Sequence, residues 1–164
     1  MPIGIATFPN TNYGATSGFF LNPNSLIQLE YAVGSEDRAY YSGRVNTIGV
    51  NYKYFIGNSF YVKGGADYRQ FQFNAINDPS LSNANLGTGD AIDMDVAIGN
   101  QWQWDNFTLG CDWYGFIMPL ANPRTNYSSQ NLSGYLAPEF DKQRVKYTTT
   151  AAAQGLRFYL GMAF

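Results

Sequence analysis

From Ser25 onward, apolar and polar residues alternate at every second position, the period of a β-strand whose side chains point to opposite faces. In 26–34, Ile27, Leu29, Tyr31 and Val33 fall on one face, and Gln28, Glu30 and Ala32 on the other. The next stretch sets Ile48, Val50, Tyr52 and Tyr54 against Thr47, Gly49, Asn51 and Lys53. After a turn at 57–59, Phe60, Val62, Ala66 and Tyr68 oppose Lys63, Gly65, Asp67 and Arg69. The clearest row is Ile92, Met94, Val96, Ile98, Trp102 and Trp104 against Asp93, Asp95, Ala97, Gly99, Gln101 and Gln103, with Asn100 alone breaking the apolar side. Beyond Asp105-Asn106, Phe107, Leu109, Cys111, Trp113 and Ile117 face away from Thr108, Gly110, Asp112 and Tyr114. The last strand sets Leu156, Phe158, Leu160, Met162 and Phe164 against Arg157, Tyr159, Gly161 and Ala163.

No helical stripe interrupts these segments, so the chain reads as all-β. Connections alternate in length: tight at 22–24, 57–59 and 105–106, longer at 35–41, 75–90 and 121–150. Such segregation puts short turns at one end of an up-and-down barrel and long loops at the other. Six strands are clear, a seventh fits 13–21, and 2–8 supplies an eighth that is short against the roughly 9–11 residues needed to span a bilayer. The expectation is one domain over 1–164, an antiparallel up-and-down transmembrane β-barrel of about eight strands with a short or incomplete first one.

Composition decides which solvent the apolar face meets. Charged residues make up 13% of the chain, whereas a water-facing surface alone usually carries about 25–35%. Aromatics reach 17%, yet no run approaches the roughly 18 apolar residues of a spanning helix. Mean hydropathy is only −0.26, as expected where apolar positions alternate with polar ones. The polar face is rich in Gly, Ala, Thr and Asn with isolated charges, which suits a crowded lumen better than a solvated surface. Tyr52, Tyr54, Phe55, Trp102, Trp104 and Phe107 cluster beside short turns and are expected to form an aromatic girdle at a bilayer interface.

The closing sequence Gly155-Leu-Arg-Phe-Tyr-Leu-Gly-Met-Ala-Phe164 resembles the C-terminal signal of bacterial outer-membrane proteins, with Phe158, Leu160, Met162 and Phe164 at alternate positions. The strand and loop pattern from Ser25 to Phe164 is similar to small eight-stranded barrels of the OmpA and OmpX type. That resemblance implies a Gram-negative outer-membrane location, insertion by the barrel-assembly machinery, and contact with outer-membrane lipid and lipopolysaccharide. Residues 1–20 show no basic segment followed by an apolar run, so an exported chain is expected here in mature or truncated form.

With the polar face inward, Glu30, Asp67, Asp93, Asp95 and Asp112 share the lumen with Lys53, Lys63, Arg69 and Arg157. Five acids against four bases should pair, because an unpaired buried charge costs several kcal/mol. A plug results rather than a wide pore, with Arg157 expected to meet Glu30 or Asp112. Without histidine, zinc chemistry and the His-dependent activities of similar-sized barrel enzymes have no residue to use, so no catalytic residue, metal or cofactor is expected. Asp93 and Asp95 are a carboxylate pair by spacing, more simply read as lumen groups. Asn106, Asn126 and Asn131 head Asn-x-Ser/Thr triplets that are short enough to arise by chance. Lys and Arg total 10, too few for a nucleic-acid surface.

The function expected from these features is a non-enzymatic membrane protein. It would act structurally or through loops 75–90 and 121–150 at the cell surface, where Tyr127, Tyr135, Leu136 and Phe140 are candidate anchors for an extracellular partner. The alternatives are a narrow, porin-like channel or carrier for small solutes, and a soluble lipocalin-like barrel with an apolar cavity.

Overall fold

The computed structural model describes residues 3–7, 11–37, 41–75, 85–123, 125–127, 145 and 151–162. Ten strands are present among them: β1 (Ile3–Thr7), β2 (Thr11–Asn22), β3 (Ser25–Asp37), β4 (Tyr41–Phe55), β5 (Phe60–Ala75), β6 (Asn85–Trp104), β7 (Phe107–Ala121), β8 (Thr125–Tyr127), β9 (Ala152–Gln154) and β10 (Arg157–Met162). All pairings are antiparallel, in the order β8-β6-β5-β4-β3-β2-β1-β10-β7-β9, and β6 pairs with β7 as well. Each of β1 to β7 and β10 therefore has a ladder partner on both sides. β8 prolongs the stave of β7 along β6, and β9 leads into β10 along β7. The result is an eight-stave up-and-down barrel, an arrangement in which backbone N–H and C=O groups find partners without water wherever the staves run side by side.

The barrel is inside-out relative to a soluble one. On the outer row of β4, Ile48, Val50, Tyr52 and Tyr54 are exposed, Val50 to 54%, and the outer rows of β6 and β10 follow with Val96, Ile98 and Leu160. Lys53 and Lys63, on the inner row, are 0% exposed. This polarity removes the soluble lipocalin-like alternative, whose apolar residues would meet at a dry centre.

The apolar belt ends sharply toward the long connections. Ile48, Tyr68 and Ile92 occupy one continuous rung, and the next rung of the same parity is Asn46, Gln70 and Asp90, of which Gln70 is exposed and Asp90 buried. Tyr68 spans the border, its hydroxyl donating to Asp90 Oδ2 at 2.6 Å. The strands do not stop there. The β3–β4 ladder runs to Asp37↔Ser42 and the β5–β6 ladder to Asn74↔Asn85, so the connections expected at 35–41 and 75–90 shrink to 38–40 and 76–84. Past the border the polarity reverses, with Gln70 and Gln72 outward and Phe71 and Phe73 buried. Polar side chains now face outward and aromatic ones inward, so the alternation of the strands changes sign. In the third long connection, β8 takes 125–127 into the sheet against Gly87–Gly89. Tyr135, Leu136 and Phe140 lie outside the described residues.

At the opposite end the connections are tight. Asn24 N–H donates to the side chain of Asn22 at 2.9 Å, and the two-residue turn after β6 puts Asp105 at φ 45°, a left-handed conformation that Asp tolerates.

One stave departs from simple alternation. Between Ile98↔Tyr114 and Gly99↔Asp112 the β6–β7 register shifts, leaving Trp113 as the extra residue of a β-bulge. Tyr114, assigned to the polar inner face by period, is turned outward and exposed, while Gly115 is buried. Ile117, assigned to the apolar outer row, changes parity with it. Trp113 Nε1 donates to Asn100 Oδ1 at 2.7 Å, and Asn100 Nδ2 donates to Ser59 Oγ at 2.9 Å. The polar break in the outer row of β6 is thereby hydrogen-bonded along the wall.

Candidate functional site

The candidate site is the barrel interior, built in layers because facing strands present every second residue to the same lumen. At the short-turn end, Leu26, Phe55 and Tyr61 form a buried cluster, with the Phe55 and Tyr61 rings 5.7 Å apart, edge to face. Phe55 thus leaves the aromatic girdle assigned to it. It is 8% exposed, because it shares the parity of Lys53 and its neighbour Tyr54 takes the outward position. Of the other girdle residues, Tyr52, Tyr54, Trp104 and Phe107 are exposed on the outer face, Trp104 stacks on Phe107 at 6.1 Å, and Trp102 is half-buried.

Above that base lies Lys53. Its ammonium sits between two phenol rings, 4.4 Å from the centroid of Tyr61 and 4.3 Å from that of Tyr159. It donates to Tyr159 OH at 2.9 Å and Gln101 Oε1 at 3.4 Å. Tyr159 OH in turn donates to Gln101 Oε1 at 3.0 Å. A buried cation is here held by ring faces and neutral oxygens. Gly110 makes the cage possible: a Cβ there would lie 2.0 Å from Tyr159 Cζ. Gly110→Ala is therefore expected to displace the ring and cost about 1–3 kcal/mol by overpacking. Gly64→Ala, where a Cβ meets nothing within 4 Å, should leave the melting temperature nearly unchanged. Thermal unfolding of both variants in detergent checks the pair.

The charged layer follows. Lys63 Nζ lies 2.7 Å from Asp95 Oδ2 and 3.4 Å from Asp112 Oδ2. Arg157 bridges two staves, its Nη2 lying 2.8 Å from Asp112 Oδ2 and its Nη1 pairing with Glu30. Tyr61 donates its hydroxyl to the other oxygen of Asp112, so this carboxylate accepts from Tyr61, Lys63 and Arg157 together. Charge-assisted bonds of this kind are stronger than neutral ones and offset the cost of burying the ions. Higher still, Arg69 Nη2 pairs with Asp93 Oδ1 at 3.0 Å. Phe71, Phe73 and Val45 then line the loop end of the interior.

Asp67 is the acid in excess. It is buried, and its Oδ1 has no hydrogen-bond partner among the described residues. Thr16, Gln28 and Asn51 also keep buried polar atoms without partners. All nine charged residues picked out by period therefore lie on the inner wall, joined in two networks around Asp112 and Arg69, with Lys53 caged and Asp67 apart. Tyr61, Tyr159, Gln101 and Asn51 were missed as site residues, although each shares the parity of a lumen charge. No three His, Cys, Asp or Glu side chains among the described residues are arranged to hold a metal ion.

Phe158 and Leu160 of the C-terminal signal face outward and are exposed. Met162 closes β10, and Phe164 lies outside the described residues.

No protein family matches the chain, and no curated protein matches it. Among solved structures it is similar to the N-terminal β-barrel domain of Pseudomonas aeruginosa OprF, at 13% identity, covering 96% of this chain and 93% of that one, with a TM-score of 0.49.

Proposed function

We propose that the chain is a non-enzymatic outer-membrane β-barrel whose interior is plugged by paired charges, and that it works as a structural or surface-interaction protein through its long connections. The inverted polarity carries this reading: an apolar outer belt surrounds fully buried Lys53, Lys63, Asp93 and Asp112. A wall of this kind needs a bilayer outside, and its interior has no open polar row for a wide pore. The strand ends at Ala75, Asn85 and Tyr127, within the long connections 75–90 and 121–150, lie beyond the polar border, the side on which an extracellular partner would meet those connections. The terminal residues Phe158 and Leu160, at the other end, face lipid as a signal read during assembly would require.

Refolding into detergent micelles tests this directly. The folded chain is expected to migrate faster than its heated form on a gel, to aggregate when detergent is withdrawn, and to show no stable large conductance in a planar bilayer. A monodisperse monomer in plain buffer would overturn the membrane assignment. A stable open pore would replace the plug with the channel alternative.

A further inference from the structure

Oxygens on four neighbouring staves are left over once the lumen ion pairs are made. Lys63 takes Asp95 Oδ2 and Arg157 takes one oxygen of Glu30. Asp95 Oδ1 and Glu30 Oε2 then have no partner among the described residues, and neither do Asp67 Oδ1 and Asn51 Oδ1. Asp67, Asp95 and Asn51 are all buried, Asn51 to 1% exposure. Buried polar atoms are nearly always hydrogen-bonded, so a group of unspent oxygens points to something held between them.

Two glycines make the space. Glu30, Gly49 and Asp67 form one rung across β3, β4 and β5, and Asn51, Gly65 and Asp95 form the adjacent inward rung across β4, β5 and β6. Asp67 leans over Gly49, its Oδ1 lying 1.9 Å from where a Cβ of residue 49 would stand. Asn51 leans over Gly65, its Oδ1 lying 2.2 Å from the corresponding point. The two side chains reach past one another in opposite directions, Asp67 toward the stave of Asn51 and Asn51 toward the stave of Asp67. A side chain on either glycine would fill the hollow that they occupy.

The hollow is also negative. Asp67 is repelled by Asp95 and Glu30 more strongly than it is drawn to Lys63 and Arg157, because both bases already hold other carboxylates. A carboxylate left this way in a dry interior is costly unless a positive charge joins it.

We propose that the hollow binds one hydrated alkali cation, held directly by Asp67 and Asn51 and reached by Asp95 and Glu30 through its water. One acid in excess asks for one positive charge. A calcium ion would ask for about six to eight oxygens, and no three acidic side chains among the described residues converge on one point. This inference rests on the inner wall and stands apart from the proposed role of the connections.

The test is thermal unfolding of the barrel refolded in an uncharged detergent, in sodium, potassium or choline chloride. One pH and one ionic strength keep general screening equal, and choline is too bulky for the hollow. The parent chain is expected to melt roughly 5 °C higher in the better-fitting alkali salt than in choline, the gain rising with cation concentration. Asp67→Asn should melt alike in all three salts. Asn51→Ala, which keeps the charge and loses the neutral ligand, should show a smaller gain than the parent. Equal melting of the parent in alkali and choline salts would overturn the proposal and leave Asp67 to a proton or to lumen water. So would an alkali gain that persists in Asp67→Asn, or one that Asn51→Ala keeps in full. Heat-modifiable migration of the parent tests the membrane assignment separately.

Discussion

Replacing Arg157 with alanine is expected to lower the melting temperature of the refolded barrel by roughly 10 °C, the largest effect of any single lumen substitution. Among the described residues Arg157 alone pairs with both Glu30 and Asp112, so its loss breaks two ion pairs at once. Glu30 already has one oxygen without a partner, and the substitution strips the other. Asp112 keeps Tyr61 and the longer contact to Lys63. Leaving a buried charge without its partner typically costs about 3–5 kcal/mol, and each kcal/mol shifts the melting point of a chain this size by roughly 2–4 °C. Arg157→Lys should fall between: a single ammonium reaches one carboxylate well but lacks the fork that spans two. Thermal unfolding in detergent, followed by tryptophan fluorescence or gel migration, reads both variants. An Arg157→Ala barrel as stable as the parent would show that lumen water supports these carboxylates as well as the guanidinium does.

The second large effect belongs to the outer face. Val96→Arg puts a cation in the middle of the belt between Gly64 and Phe116, where such a substitution costs about 2–4 kcal/mol in a transmembrane barrel. Thr88→Arg lies on the same strand beyond the Asn46–Gln70–Asp90 border, beside Gln72, where the expected cost is about 0–1 kcal/mol. Folding equilibria in lipid vesicles supply both numbers. The contrast between the positions is the informative quantity. If water bathed the whole outer wall, both arginines would be tolerated alike and the belt would not be lipid-facing.

The members of the lumen site were mostly visible in the chain, and their contacts were not. Period two places Glu30, Lys53, Lys63, Asp67, Arg69, Asp93, Asp95, Asp112 and Arg157 on one face, because backbone pleating fixes parity locally. It does not say that Lys53 sits between two tyrosines while Lys63 takes the carboxylates. That division depends on which staves lie opposite across the lumen, and so on ladder register. Gly110, which leaves room for Tyr159, is likewise an unremarkable small residue until the neighbouring stave is in place.

The sequence by itself determined the all-β class, the alternation, the tight turns at 22–24, 57–59 and 105–106, and the sidedness of the belt, since each follows from neighbours within a few residues and from a shortage of charge. Tertiary structure decided what local patterning cannot carry. The bulge at Trp113 reversed the parity of Tyr114 and Ile117, the lumen drew in Phe55, and β5 and β6 continued past the end of the apolar belt with their polarity reversed. Each correction has one physical cause: alternation reports the contrast between two environments, and only the assembled barrel fixes where lipid gives way to water and which face of each stave looks inward.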